Sequence, residues 1–453
     1  MNNNNLIYDT HEHPKTIKEW LLYALQMLMA VFVATVLISN ICGTPVGAGL
    51  LGACLGTLTY QVITGFKSPV FISNSGATVS AVIGALALGT APNYFAVFIG
   101  GLIILAVYAI FAGIIKVRGV DALNKLFPPY IVGPITIVIG LNLATFIFGY
   151  VGGYNVLDIL KEGNIIESMH SVVNPINVLV AVSVMLCVAL TSHYFKGFLK
   201  TIPFLIGLVF GFIICFVLEL TGAASYGIMD KFGTINGFFT LPEVTFLKWA
   251  DGFGSFGWDT LLNIILLFAP VAICALCEHY SDHMVMSNII GHDLTKDPGL
   301  HRTLLGDGAA SVIGTIFGGQ PNTSYGESTA MVGFSRVASV KVVSLAAVIM
   351  GLLAFVQPVQ VFINAIPSCV FGGCAMILYG YIACSGLKTL MRNKVDLENN
   401  KNLIIVSVIL TVGVSGIWLF SNSFAGVSLA MVLGIILNLI LRDKKETIED
   451  SKE

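Results

Sequence analysis

Two stretches decide how this sequence folds: KSPVFISNSGATVSAVIG at residues 67–84 and GGQPNTSYGESTAMVG at residues 318–333. Each carries a proline among Ser, Thr and Asn, reaches a glycine (Gly76 or Gly326) and continues as a less polar run. Ser, Thr and Asn side chains draw the backbone away from helix, and proline disfavours helix in the residue before it. Both stretches therefore read as an extended segment leading into a half-helix. Irregular backbone at membrane depth survives only where it is buried or lines a cavity. Two broken spans at corresponding places in two halves of a chain mark a transport site.

The surrounding composition supplies the membrane. Of 453 residues, 56% are hydrophobic and 11% charged, with a mean hydropathy of +0.87. Soluble domains carry roughly 45–50% apolar and about 25% charged residues. Twenty-three Lys and Arg with 25 Asp and Glu cannot clothe a water-facing surface of this size, so a soluble enzyme, a nucleic-acid binder and a disordered scaffold are excluded. The expected class is an all-α polytopic protein whose partner is the lipid bilayer. The N-terminal MNNNNLIYDTHEHPKTIKEW has no basic n-region, apolar h-region or cleavage site and is not expected to be a signal peptide. Seven of the nine cysteines, including Cys274 and Cys277, lie in apolar runs and read as packing residues rather than a redox motif.

A crossing helix needs about 20 apolar residues. Candidate spans fall near 18–41, 46–66, 69–90, 92–116, 127–152, 175–194, 203–222, 259–290, 303–319, 320–337, 338–357, 363–388, 402–421 and 424–441. With these fourteen, 20 of the 23 basic residues, from Lys15 and Lys18 through Lys125 and Lys388 to Arg442, Lys444, Lys445 and Lys452, share one side. Only Lys161, Lys231 and Lys248 fall on the other, which makes both termini cytoplasmic and the location a cell membrane. Seven spans precede a polar linker at 223–257 and seven follow it. An odd number per half inserts homologous halves with opposite topology. FPPYIVGPITIVIG from Phe127 and IPSCVFGGCAMILYG from Ile366 support the repeat, each with a glycine five residues after a proline, at Gly133 and Gly372.

Acids inside the spans are few. Glu278 and Asp282 are four apart on the eighth span and share a face; Glu327 follows the break in the tenth. An ionisable group in hydrocarbon costs roughly 2.5–3.5 kcal/mol by insertion scales, so such groups face a cavity or a partner and recur in proton relays. Glu278 and Glu327 are thus candidate proton-coupled ligand groups, with Asp282 beside them. His279 and His283 form a neighbouring i,i+4 pair, but without HExxH or a third ligand no metal is expected. Glu219 and Asp307 read as interfacial or capping residues, and Phe71 and Tyr325 are the aromatics beside the breaks.

CEHYSDHMVMSNIIGHDLTKDPGLHRTLLGDGAASVIGTIFGGQPNTSYGES, residues 277–328, resembles the nucleobase–ascorbate transporter family in its bacterial uracil permease branch. An E-H pair, a D-P-G-L-H-R loop, an L-G-D-G start and a P-N-T-x-Y-G-E run follow in the family's order, and the likeness extends over most of residues 20–440. The resemblance implies fourteen transmembrane segments in two inverted repeats, with short β-strands in segments 3 and 10. It implies a core domain at 18–116 and 258–357 and a gate domain at 117–222 and 358–441. Tails at 1–17 and 442–453 and an extracellular linker at 223–257 complete the organisation. It implies proton symport of a nucleobase by alternating access, uracil favoured, with no cofactor and with a homodimer as a possible assembly. Substrate contacts carry over to Glu278, Glu327, Gly326, Gly76, Tyr325 and Ala34, and proton coupling to Glu278, Glu327 and Asp282. Gln26, His279, His283, Asn322, Thr323 and Ser328 stand behind them.

Carboxylates accept from ring N–H groups while half-helix N-termini offer N–H to ring carbonyls. The chain departs from the family pattern at Met27, where a His is usual, at Ser75-Gly76-Ala77-Thr78 in place of S-F-A-F, at Asp282 in place of a second His, and at Ser328. The space at Gly76 makes xanthine or another purine the alternative substrate. An anion transporter of the same fold is less favoured, since acids repel anions, and an enzyme is not expected without a nucleophile–base pair.

Overall fold

The computed structural model describes residues 6–89, 91–119, 127–152, 174–254, 256–415 and 425–441. Lys125, Lys161, Arg442, Lys444, Lys445, Lys452 and the 442–453 tail of the orientation argument lie outside these residues, as does the end of the 402–421 span. Helix α1 spans Ile17–Cys42; Thr16 caps it by accepting from the Glu19 N–H, and Gly43 ends it at φ 68°. Then follow α2 (Val46–Thr64), strand β1 (Ile72–Asn74), α3 (Val79–Leu86) and α4 (Tyr94–Arg118). Next come α5 (Pro129–Ala144), α6 (Ile147–Gly152), α7 (Pro175–Tyr194) and α8 (Pro203–Leu220). After short turns of helix in the linker come α9 (Trp258–Ile290), α10 (Leu300–Phe317), β2 (Asn322–Ser324) and α11 (Gly326–Ser335). The chain closes with α12 (Val340–Leu353), α13 (Gln357–Ala365), α14 (Ser368–Arg392), α15 (Asn400–Val414) and α16 (Ala425–Ile440).

Eight helical stretches among the described residues are long and apolar enough to cross a membrane. The protein is a multi-pass membrane protein. Two details differ from the sequence reading. The 127–152 run is interrupted between Ala144 and Ile147, and a separate helix, α13, precedes the 363–388 run, whose own helix starts only after Pro367.

The close helix pairs fall into two groups. In one, α2 and α4 pack on α10, α1 and α2 on α12, and α4 on α9; in the other, α5 and α7 pack on α14, α7 on α8, and α15 on α5 and α16. The two strands lie inside the first group and pair antiparallel, Ile72 with Ser324 and Asn74 with Asn322.

Three-residue strands leave most backbone groups unpaired, and with no water in hydrocarbon those groups need other partners. Polar side chains from the helices provide them. The Thr57 hydroxyl donates to the Ile72 carbonyl at 2.5 Å and accepts the Ile72 N–H at 3.2 Å. The Ser311 hydroxyl donates to the Asn322 carbonyl, and Asn322 Nδ2 donates to the Gly52 carbonyl at 2.9 Å. Asn74 Nδ2 donates to the Thr35 carbonyl at 3.2 Å and to Ser39 Oγ at 2.9 Å. Helix α2 reaches β2 because residue 56 is glycine; a Cβ there would sit 2.1 Å from Asn322 Nδ2.

Candidate functional site

A cavity of about 660 Å³ lies between the two helix groups. One wall is built by α1 (Ala34, Ile38), the link after β1 (Gly76, Ala77), one face of α9 and the β2–α11 junction. The opposite wall is α5 and α14, and the cavity reaches Lys388, Arg392 and Asn393 near the end of α14. Every residue named as a substrate contact from the sequence lines it: Ala34, Gly76, Glu278, Tyr325, Gly326 and Glu327, together with Asp282 and Thr323. Gln26, His279, His283, Asn322 and Ser328 are not among its lining residues.

Helical periodicity explains the division on α9. Cys274, Glu278, Asp282 and Val285 recur at three- and four-residue steps and face the cavity. His279 and His283 occupy the other face, fully buried. Glu278 is exposed to the cavity, and Asp282 accepts from the Ser324 hydroxyl at 3.3 Å, which ties its carboxyl to the end of β2.

The β2–α11 junction supplies donors. Helix α11 starts at Gly326, with Tyr325 extended before it and Glu327 in its first turn. The first N–H groups of a helix have no intrahelical acceptor and carry the positive end of its dipole. At Gly326 and Glu327 they sit on the cavity wall, where a Cβ on Gly326 would lie 3.9 Å from Asp282 Oδ1. Tyr325 lines the cavity but is 4% exposed; its hydroxyl donates to the Asn74 carbonyl at 2.7 Å and joins the two broken spans. Ser328 Oγ accepts the Phe71 N–H at 3.3 Å and donates to the Tyr325 carbonyl at 2.7 Å.

The other junction is different. After Gly76 the chain makes a turn in which the Thr78 hydroxyl donates to the Ser75 carbonyl, and helix begins only at Val79. The sequence reading placed the helix start at the glycine; the Ser-Gly-Ala-Thr turn delays it. Phe71, singled out beside the break, is fully buried under β1 and does not line the cavity.

Asp307 is the principal correction. It is neither interfacial nor a cap: it is fully buried within α10, with Oδ2 2.5 Å from His279 Nδ1 and 3.4 Å from the Thr323 hydroxyl that donates to it. His279 Nε2 lies 3.0 Å from Thr303 Oγ1. The His283 ring stacks on His279 at 4.0 Å, its Nδ1 donates to the His279 carbonyl at 2.8 Å, and its Nε2 lies 2.7 Å from the Tyr60 hydroxyl. A carbonyl oxygen only accepts, so His283 carries a proton on Nδ1, and the Tyr60 hydroxyl beside its Nε2 donates to Ser68 Oγ at 2.8 Å. The pair is thus a buried polar layer linking α9 to α10 and α2. The signal for it in the sequence is His279 itself, a polar residue on the stripe next to Glu278. Glu219, by contrast, does cap: it accepts the Tyr226, Ile228 and Met229 N–H groups.

Among the described residues no cluster of three or more His, Cys, Asp or Glu could hold a metal ion. All nine cysteines are free, Cys274 and Cys277 included.

Residues 18–421 match the model of a family described as a permease family. The uracil permease of Bacillus subtilis (strain 168) is 34% identical over 441 residues, which cover 96% of this chain and 95% of that protein. The uracil permease of Escherichia coli (strain K12) is 34% identical over 423 residues, covering 92% of this chain and 90% of its own. Among solved structures, the transmembrane domain of a cyanobacterial bicarbonate transporter, BicA, superposes with a TM-score of 0.58 at 16% identity, covering 95% of this chain and 99% of that one. The murine Slc26a9 anion transporter gives 0.60 at 12% identity, covering 95% and 69%. At such identities these two show a shared fold alone.

Proposed function

This chain belongs to the permease family, in its uracil permease branch, and from that premise we propose that it imports a nucleobase, uracil favoured, by proton symport. The observation that carries the reading is one cavity wall where Glu278, Asp282 and Glu327 stand beside the N-terminus of α11. Uracil presents N–H donors and C=O acceptors along its ring edge. Carboxyl oxygens accept from the ring N–H groups, and the Gly326 and Glu327 N–H groups donate to a ring carbonyl. A site whose buried polar groups pair with those positions discriminates against rings that lack them.

In this reading the fourteen segments form two inverted repeats. The helix group holding the strands is the core that carries substrate, and the group around α14 is the gate. Glu278 and Glu327 bind substrate and exchange the coupling proton, with Asp282 next to them. The basic side of the chain is cytoplasmic, so the cavity reaching Lys388 and Arg392 opens inward and both termini are cytoplasmic. Alternating access moves core against gate to open the linker side.

Uptake of labelled uracil into proteoliposomes with an imposed pH gradient tests this. Accumulation that follows the gradient is expected; folded protein that accumulates neither uracil nor xanthine overturns it. A purine as second substrate is favoured by Gly76, where a Cβ would meet only Ile38 and Ile382 Cδ1, both at 3.8 Å. Competition of xanthine against uracil uptake separates the two.

A further inference from the structure

A second cavity, of about 540 Å³, lies at the linker side of the molecule. It is bounded by the end of α1 (Asn40, Ile41, Cys42) and by Tyr150, Tyr226 and the start of α14. Helices α1 and α14 border both cavities, so a septum between the two helix groups separates them. Two side-chain hydrogen bonds among the described residues cross from one group to the other on the linker side of Glu278. The Tyr150 hydroxyl, on α6, donates to the Ile41 carbonyl on α1. The Ser428 hydroxyl, on α16, donates to the Leu266 carbonyl on α9.

Both acceptors are carbonyls that their own helices leave open. At the end of α1 the Gly43 and Thr44 N–H groups turn back to Asn40 and Ser39, beyond the reach of the Ile41 carbonyl. In α9, Pro270 has no N–H to give to Leu266, four residues earlier. An open carbonyl in an apolar setting is stabilised by any donor that reaches it and can exchange that donor for water. Both bonds also lie on the linker side of the carboxyl level. Leu266 precedes Glu278 by twelve residues, roughly 18 Å along the helix axis, and Ile41 lies beyond Ala34 and Ile38, which line the other cavity.

We propose that Tyr150–Ile41 and Ser428–Leu266 are paired latches that hold the linker side shut while the carboxyl-lined cavity is open, and that both break when the linker side opens. The proposal rests on the alternating-access reading above. It differs from a packing role because each latch joins a gate hydroxyl to a main-chain carbonyl of a substrate-bearing helix. Tyr150 and Ser428 are therefore positioning residues that set the balance of the two states without touching substrate.

Cys42 reports on the latch. It is 1% exposed and lines the linker-side cavity next to Ile41. The test adds a membrane-impermeant maleimide to the linker side of vesicles, without substrate, and reads labelling of each native cysteine by peptide mass spectrometry. Tyr150→Phe and Ser428→Ala each should label Cys42 about fivefold faster, as for loss of one hydrogen bond of about 1 kcal/mol. The double variant should exceed either. Buried Cys54 on α2, which lines neither cavity, should stay unlabelled. Unchanged Cys42 labelling in the double variant overturns the proposal. So does a rise that Cys54 shares, because it reports general loosening. Labelling needs no substrate, so failure here leaves the uptake test of the nucleobase reading independent.

Discussion

The two broken spans meet at the same cavity and do different work there. The second carries both kinds of polar group: α11 starts directly at Gly326 and puts Glu327 in its first turn. The first carries neither. Helix α3 starts three residues after Gly76, has no acid in its first turn and no side-chain cap, and is buried along its whole length. What it contributes to the cavity is Gly76 and Ala77, which is backbone and space. A pseudo-symmetric pair of elements has thus divided its labour: one half supplies the chemistry and the other the shape. Changes in the second half should then cost more, and cost it in transport. Changes in the first should act on fit.

The sharpest break of this comparison is at the carboxyls. Glu327→Gln keeps shape and removes the charge-bearing acceptor; together with Glu278→Gln it should lower uracil uptake by about 10- to 100-fold each, the range for a lost hydrogen bond to a charged group. Initial uptake rates in proteoliposomes measure it. If Glu327→Gln transports like the parent while a Gly76 variant does not, the assignment of chemistry to the second half is reversed.

The supports of the two halves come next, and they are read in stability. Asp307→Ala removes the partner of both His279 and the Thr323 hydroxyl of β2, leaving a fully buried imidazole nitrogen without its hydrogen-bond partner. A loss of about 1–3 kcal/mol is expected, seen as a lower melting temperature of detergent-purified protein. Thr57→Val strips β1 of one side chain that both donates to and accepts from Ile72. Its cost should be of similar size, about 1–3 kcal/mol, because a buried N–H and C=O lose their partner together. An unchanged melting curve for Thr57→Val would show that β1 is held by its pairing with β2 alone.

Much of this arrangement is legible in the sequence. Hydropathy marked the long helices almost to their ends, because proline, glycine and charge punctuate them: Pro175 opens α7, and Gly291 closes α9. The two breaks were legible for the same reason, since Pro, Ser, Thr and Asn in an apolar run have few other uses. The buried Asp307 was not. It follows the polar loop DPGLHR closely, which reads as surface, and its partner is 28 residues earlier on another helix. What admits it is small neighbours: at Gly306 a Cβ would press on Tyr60 Cδ2 at 2.9 Å, and at Gly308 on Leu105 Cδ1 at 3.0 Å. Helix packing of that closeness is a tertiary fact. The late start of α3 is not legible, because a Ser-Gly-Ala-Thr run is compatible with either a turn or a first helical turn.

Smaller effects fall on fit. Gly76→Ala adds one methyl group in ordinary contact with Ile38 and Ile382, so the fold should tolerate it. The cavity narrows on the side that belongs to the first half. Competition by xanthine should weaken several-fold while uracil affinity changes less, in line with the roughly 10- to 200-fold range that one methylene in a pocket can reach at most. Equal loss for both bases would mean that Gly76 serves the backbone rather than the size of the substrate.

The smallest expected effect lies where the chain enters the two halves. Lys67, just ahead of the first break, pairs with Asp297, just ahead of the helix that leads to the second, with Nζ 2.7 Å from Oδ1. The Lys67 hydrogen bond and charge hold the Asp297 carboxyl below its usual range. A carboxyl lowered on folding stabilises the native state above its unfolded value of about 3.9 and loses that contribution as the pH falls through the lowered value. Both side chains are well exposed, at 39% and 51%, so water screens the pair and the contribution is small. Lys67→Met should therefore lower the melting temperature slightly at pH 7, and parent and variant should converge as the pH drops below the lowered Asp297 value. High salt should shrink the difference at pH 7 as well. A gap that persists at low pH would assign the effect of Lys67 to its aliphatic stem packing against the loop, and the two halves would then be joined at their entrances by contact rather than by charge.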